Sequence, residues 1–342
     1  LVTEEPGLFD EVLARGIVAR TAAGEPFQWL AVPAFATAAL LDFTNPDGLD
    51  WWREQLHAMV VELGADGFMQ DFGEGILDTM HFADGSTGVD LHNRYAVEMH
   101  RATREYLEAI GREDVFVLTR GGFSGRPGAA AYESANFPGD ESPDWTPASG
   151  IRSLAPDMLN RAVGGAFGFA TDIGGYLDFL VPPAGKELFI RWAQWSALTP
   201  FYRVHNSSTG GTRMPWDFDE ETYDVWLAMA ALHDRALPYI RALWTEGLST
   251  GVPPTRPLWL EFPDDPVAAA QDQQWMLGPD VLVAPVVDEG ATTRDVYFPE
   301  GCWESPEGGE RVDGPGIATI DAPLDRLPWF ARCGSDPFAR VP

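Results

Sequence analysis

The sequence predicts an α/β fold: the C-terminal part of a (β/α)8 TIM barrel followed by an antiparallel β-sandwich domain. Three observations lead there. Short apolar strands alternate with long helices from about residue 64 to 245, the pattern of a parallel sheet covered by helices. Those strands end on charged or polar residues, the position where α/β barrels place their chemistry. Beyond about residue 250 the pattern changes to short strands between Pro and Gly turns, the mark of a separate antiparallel domain.

The elements follow in order. Residues 1–40 are punctuated by Pro6, Gly7, Gly24, Pro26 and Pro33, with one strand readable at 27–32. Thr44 or Asn45 is the natural N-cap of the next helix, with Pro46 at its first position. That amphipathic run, 51–63, leads into a short apolar strand at 68–69, which delivers Asp71 and Glu74 just past its end. Residues 75–88 read as a loop and 91–110 as a helix closed by Gly111. The β-branched run 115–119 reads as a buried parallel strand ending in Arg120. A Gly-rich loop then leads to 135–140 and Asp140. A helix near 151–164 precedes a small-residue strand at 166–170, which ends at Asp172. Helix 183–195 feeds a strand at 198–204 that ends at His205, and a last helix, 222–243, is interrupted at Pro238. Strands at 257–262, 281–287, 294–298 and 317–320 then build the β-domain. The boundary near 247–254 divides a catalytic barrel portion, 41–246, from a C-terminal domain, 247–342. About five barrel strands are present where a closed barrel needs eight. A longer protein or a partner chain is expected to supply the rest, with a homo-oligomer as the further option.

A chain of 342 residues, 45% hydrophobic and 12% aromatic, suits a barrel-sized core plus a smaller one. The formal charge of -29 argues against nucleic acid or an anionic membrane as partner, because both need basic patches. It also suggests a salty milieu, where screening would relieve the repulsion. Cys302 and Cys333 are too few and too far apart for a disulfide framework or a zinc site. They read as buried free thiols, with a single bridge as the alternative. No apolar run has transmembrane length, and no leader is visible in a chain that opens on Leu1. The location expected is cytoplasmic.

Five strand ends thus carry Asp71, Arg120, Asp140, Asp172 and His205. On neighbouring barrel strands they would converge on one mouth. Two carboxylates beside a cation and a His suit glycoside hydrolysis, one ionised to attack and the other protonated to release the leaving oxygen. The bland alternatives stand beside this: Asp71 as a solvated loop acid, and Asp140-Glu141 as a solvated acidic loop. His81, His92 and His100 lack metal-ligand spacing, and no metal or cofactor is expected. Residues 122–125 miss the nucleophile-elbow spacing, and no Gly-rich loop matches a phosphate or dinucleotide fingerprint.

The segment Asp-Gly-Phe-Met-Gln-Asp-Phe-Gly-Glu at 66–74 resembles the nucleophile motif of glycoside hydrolase family 31, the retaining α-glycosidases built on a (β/α)8 barrel. Four further stretches agree in order: Leu-Thr-Arg-Gly-Gly-Phe at 118–123, Phe-Pro-Gly-Asp at 137–140, Thr-Asp-Ile-Gly-Gly-Tyr at 171–176 and Arg-Val-His-Asn at 203–206. The β-domain stretch 277–285 agrees as well, so the resemblance runs from about residue 40 to the end. It implies Asp71 as nucleophile, Asp140 as acid/base, and Arg120, His205, Phe137 and Tyr176 as substrate-binding residues. Glu74 would order the loop, and Asp172 would orient Arg120. It further implies that residues 1–40 are the tail of an insertion or an incomplete N-terminal part. The substrate implied is a terminal α-linked sugar. Two departures bear on which one: Phe137 stands where the family usually has Trp, and Tyr176, like Asp-Phe-Gly-Glu, is shared with sulfoquinovose-cleaving members. A sulfoquinovosidase is therefore the runner-up, and an inactive carbohydrate-binding or regulatory chain is the alternative of another class. Retention would place the two carboxyl groups about 5–5.5 Å apart.

Overall fold

The computed structural model describes residues 6–31, 36–122, 129–177, 182–207 and 214–339. They fall into two compact units, Leu1–Asn136 and Phe137–Pro342, described here one at a time.

The first unit opens with helix α1 (Pro6–Arg15) and an antiparallel hairpin, β1 (Gln28–Ala31) and β2 (Ala36–Ala39). The expected strand at 27–32 is there, with a partner the small-residue sequence of β2 gave no reason to expect. Helix α2 (Pro46–His57) is capped by Asn45, whose side chain accepts from the Asp47 N–H at 3.0 Å, with Pro46 in the first turn. A wider helical turn, Ala58–Glu62, carries it to Gly64, where φ is +73°. Strand β3 (Gly67–Gln70) follows, then helices α3 (Gly88–Leu91) and α4 (Tyr95–Ala109), separated by a turn within the predicted helix 91–110. Strands β4 (Phe116–Thr119) and β5 (Ala135–Asn136) complete a three-stranded parallel sheet in the order β3-β4-β5.

Among the described residues β3 pairs with β4, leaving its other edge open. Met69 on that strand is 39% exposed, which a strand in the middle of a barrel would not be.

The second unit sets helices α5 (Leu154–Val163), α6 (Lys186–Ala197) and α7 (Glu220–Thr250) against a six-stranded antiparallel sheet. Its strands are β6 (Thr255–Arg256), β7 (Trp275–Leu277), β8 (Val281–Val283), β9 (Thr293–Glu304), β10 (Arg311–Asp321) and β11 (Trp329–Arg332), in the order β10-β9-β11-β8-β7-β6. Short helices α8 (Leu258–Glu261) and α9 (Pro266–Ala269) lie between β6 and β7 in sequence. Alternation along the strands builds two cores. Trp275, Leu277, Val281, Val283 and Trp329 join the cluster formed with α5, α6 and α7. Met276, Leu282 and Phe330 join Val296, Phe298 and Trp303 on the opposite face. Both faces are covered, which is why the strand at 281–287 reads as an unbroken apolar run.

Five sequence expectations change here. Residues 166–170 and 198–204 form no regular strand. Their backbone is satisfied irregularly: Ile173 N–H donates to Arg203 O at 3.0 Å, and the Thr199 hydroxyl reaches the carbonyls of Ser196 and Phe201. Helix α7 runs unbroken through Pro238, because Val225, Met229, Leu232, Ala236, Ile240 and Leu243 bury one continuous stripe that offsets the lost bond. Residues 257–262 turn into α8 rather than a strand. The buried Arg256 bonds to Pro253 O and to Glu261 at 2.6 Å and folds the segment back. Finally, Cys302 and Cys333 are disulfide-bonded, not free thiols. Pairing of β11 with β9 brings Cys333 N–H onto Cys302 O at 2.9 Å, and the Cα atoms lie 5.3 Å apart, within bridging range.

The bridge closes a loop of 31 residues. Cys302→Ser is expected to cost about 3 kcal/mol of stability through the unfolded chain. A urea melt under non-reducing conditions measures it; an unchanged midpoint, or two titratable thiols in the native protein, would contradict the bridge.

Candidate active site

In the first unit the parallel sheet delivers Asp71 past the end of β3 and Arg120 past the end of β4. Gln70 and Thr119 are the last paired residues, so the two side chains that follow leave the sheet at the same level. Arg120 Nη1 lies 3.2 Å from Asp71 Oδ1. Its Nε and Nη2 donate to the two Glu74 oxygens at 2.8 and 3.1 Å, the bidentate geometry that suits a guanidinium. Burial works to raise the Glu74 carboxyl, but the Arg120 hydrogen bonds and charge outweigh it and hold it below its ordinary value. Glu74 therefore stays ionised as the partner of Arg120.

The turn after Asp71 is strained. Phe72 has a φ of +67°, in the left-handed region that costs a non-glycine residue about 1–2 kcal/mol. The Asp71 carboxylate accepts the Phe72 N–H at 2.7 Å, and the Phe72 ring lies under Arg120, 4.4 Å from the guanidinium carbon. Strain of this kind collects at functional sites, and here it aims an acidic side chain.

The second unit gathers the remaining expected residues around a buried polar cluster. Glu141 is 3% exposed, which corrects the reading of Asp140-Glu141 as a wholly solvated acidic loop. Its carboxyl accepts from the Thr171 hydroxyl and from Asp172 N–H at 3.1 Å, and its carbonyl accepts from Tyr176 and Leu177 N–H, each at 2.9 Å. The Trp192 indole donates to Thr171 Oγ1 at 2.9 Å, leaving that hydroxyl's own hydrogen for Glu141. Burial, and then the neighbouring Asp172 charge, push the Glu141 carboxyl well above its ordinary value. Asp140, one residue earlier, is exposed.

Asp172 is 1% exposed and pairs with Arg203 at 3.0 Å. Within its own unit Arg120 bonds to Glu74 and Asp71, and within the other Asp172 bonds to Arg203. The Gly-Gly turn after Asp172 is required by close approach. A Cβ on Gly175, where φ is +78°, would stand 2.8 Å from the Pro143 backbone, so only Gly lets the Asp140 loop and this turn touch. Tyr176 stacks on His205 with ring centroids 5.1 Å apart and an interplanar angle of 19°. Phe137, expected at the substrate, is 4% exposed with its ring covered by Arg203, centroid to guanidinium 5.3 Å. Its ring forms a floor beneath Arg203.

The structure thus places Asp71, Glu74 and Arg120 together in one unit, and Phe137, Asp140, Asp172, Tyr176 and His205 in the other. Sequence reasoning passed over Glu141 and Arg203. Arg203 stood in a motif already singled out, and Glu141 followed the acid directly. Among the described residues no group of three or more His, Cys, Asp or Glu could hold a metal ion. No helix of the described residues is long and apolar enough to cross a membrane.

Known proteins resemble this chain in sequence and fold. Residues 2–243 match the glycosyl hydrolases family 31 TIM-barrel domain, and residues 251–335 match the family's C-terminal domain. The chain is similar to the sulfoquinovosidase of Escherichia coli K12, with 31% identity over 98% of this chain and 49% of the relative. It is also similar to α-glucosidase 2 of Bacillus thermoamyloliquefaciens, with 31% identity over 87% of this chain and 38% of that one. Among solved structures, a family 31 sulfoquinovosidase from E. rectale in complex with an aza-sugar inhibitor superposes with a TM-score of 0.90 and 29% identity, over 99% of this chain and 50% of that one. The chain therefore spans half or less of the length of these relatives. With both domains matched in order along its length, the chain belongs to glycosyl hydrolase family 31.

Proposed function

We propose that the protein carrying this chain is an exo-acting, retaining α-glycosidase that removes terminal α-linked sugars. Asp71 attacks the anomeric carbon to form a covalent glycosyl-enzyme. Asp140 protonates the departing oxygen, then takes a proton from the water that releases the sugar. The observation that carries the reading is Asp71 itself, aimed from the end of β3 by a strained turn and set 3.2 Å from an Arg120 that Glu74 already orients. A carboxylate that must bond carbon needs a fixed direction and a neighbouring positive charge, and Arg120 supplies both. A guanidinium such as that of Arg120, and an imidazole such as that of His205 with the Tyr176 ring against it, suit sugar hydroxyls, whose hydrogen bonds strengthen as the oxocarbenium-like transition state forms.

A sulfoquinovosidase is the second reading. It is favoured by Tyr176 and by relatives of that name. A binding or regulatory chain is the third, because this chain spans half or less of its relatives. No metal or cofactor enters any of these. The Cys302–Cys333 bridge favours an oxidising compartment over the cytoplasm expected from the sequence.

The test is a panel of nitrophenyl α-glycosides, including the sulfoquinovoside, run beside native mass. Release of nitrophenol from one sugar, with the mass of a species larger than this chain, supports the enzyme with its missing strands supplied. Sugar binding without turnover at the mass of this chain alone supports the binding reading.

A further inference from the structure

The mechanism above leaves several buried titratable groups unused, and His100 sits nearest to Asp71 and Arg120 along the chain's hydrogen bonds. His100 on α4 is 2% exposed and lies between the ends of the two strands that carry Asp71 and Arg120. Its Nε2 is 2.8 Å from Gly121 O, and its Nδ1 is 2.9 Å from Gln70 Nε2. A carbonyl oxygen only accepts, so Nε2 carries the hydrogen, and Nδ1 accepts from the Gln70 amide. Both ring nitrogens are thereby used in a single neutral tautomer, and burial favours that neutral form.

Each bond lands one residue from the chemistry. Gln70 precedes Asp71, and Gly121 follows Arg120. The same helix face closes the space beneath the loop. A Cβ on Gly73 would meet Ala96 Cβ at 3.0 Å, and one on Gly121 would meet Ala96 Cβ at 3.0 Å, Phe72 O at 3.0 Å and Glu74 Oε1 at 3.3 Å. Packing this tight leaves the loop no alternative seat, so the strand ends hold whatever separation α4 dictates.

We propose that His100 is a positioning residue for Asp71: its imidazole ties the end of β3 at Gln70 to the end of β4 at Gly121 and so fixes Asp71 against Arg120. The inference rests on Asp71 as the nucleophile. His100 touches no substrate, and its effect passes through the direction of a carboxylate.

The test compares His100→Leu with His100→Gln in the full chain, on nitrophenyl α-glycosides. Leu removes both bonds; Gln keeps a donor and an acceptor on one side chain. His100→Leu is expected to lower kcat by about 10²-fold, the cost of a roughly 1 Å misplacement, while inhibition by a neutral iminosugar changes by less than about threefold. His100→Gln is expected to recover most of the loss. A kcat for His100→Leu within about threefold of the parent would overturn the inference, as would equal losses in Leu and Gln. If His100→Leu does not fold, Gln70→Met cuts the same bridge from the strand side, with the same expected loss. If the parent chain turns over no substrate, the glycosidase reading fails by itself and crystal structures of the variants decide the positioning. His100→Gln should keep the 3.2 Å Asp71–Arg120 contact, and His100→Leu or Gln70→Met should open it beyond ion-pair range, about 4 Å. An unmoved contact would overturn the proposal.

Discussion

Asp71→Asn is expected to reduce hydrolysis by on the order of 10⁴–10⁶-fold, the scale seen when a covalent nucleophile is removed. Asn matches Asp in shape but cannot bond the anomeric carbon as a carboxylate does. The surroundings should survive the change. Arg120 keeps its two bonds to Glu74, and the turn at Phe72 retains its acceptor in the Asn carbonyl. A melting temperature close to the parent's is therefore expected alongside the lost rate. Residual activity above about 1% would move the nucleophile elsewhere, since a positioning group alone contributes about 10²-fold. Glu74→Gln is the internal control. Glu74 serves Arg120, so its loss should weaken catalysis without abolishing it.

Asp140→Asn is expected to separate substrates by leaving group. General acid catalysis contributes about 10²–10⁴-fold where the departing oxygen is basic, and far less where the aglycone leaves readily as an anion. A natural disaccharide should therefore lose most of its rate, while a dinitrophenyl glycoside keeps its first step and is slowed only at hydrolysis of the intermediate. Kinetics on a series of aryl glycosides measure this as a steep dependence on leaving-group acidity that the parent lacks. Uniform loss across the series would count against Asp140 as the acid. The neighbouring Glu141 gives the contrast. Both its oxygens already accept hydrogen bonds in a buried site, so Glu141→Gln should disturb the Asp140 loop without selecting among leaving groups.

Much of this was legible from residue order. The parallel pairing of β3 with β4 follows from two short apolar runs separated by a helix, and it puts Asp71 and Arg120 level, as strand-end reasoning expected. What stayed illegible depends on contacts between segments distant in sequence. Glu141 looks solvated in a chain of 52 acidic residues; its burial depends on Thr171, Asp172 and the Trp192 indole thirty or more residues away. The Cys302–Cys333 bridge depends on the register of β11 against β9, and nothing in a spacing of 31 residues reveals that. Periodicity failed at 257–262 for a local reason. Six residues are too few to tell a strand from a helical turn, and a buried Arg256–Glu261 bond decided it. At Pro238 a rule that holds for isolated helices lost to the apolar stripe of α7. In the sequence His100 offers only a possible metal ligand, and its partners Gln70 and Gly121 are visible only once α4 lies under the sheet.

The claim on which the account turns is that Asp71 becomes covalently bound to the sugar. The protein should be incubated with a deoxyfluoro α-glycosyl donor bearing a good leaving group, in which fluorine slows breakdown of the intermediate, and then digested for peptide mass mapping. The account predicts one added fluorosugar, carried by the peptide containing residues 66–74 and sited on Asp71. An adduct on Glu74 or Asp140, or turnover with inverted product and no adduct on any carboxylate, would contradict it.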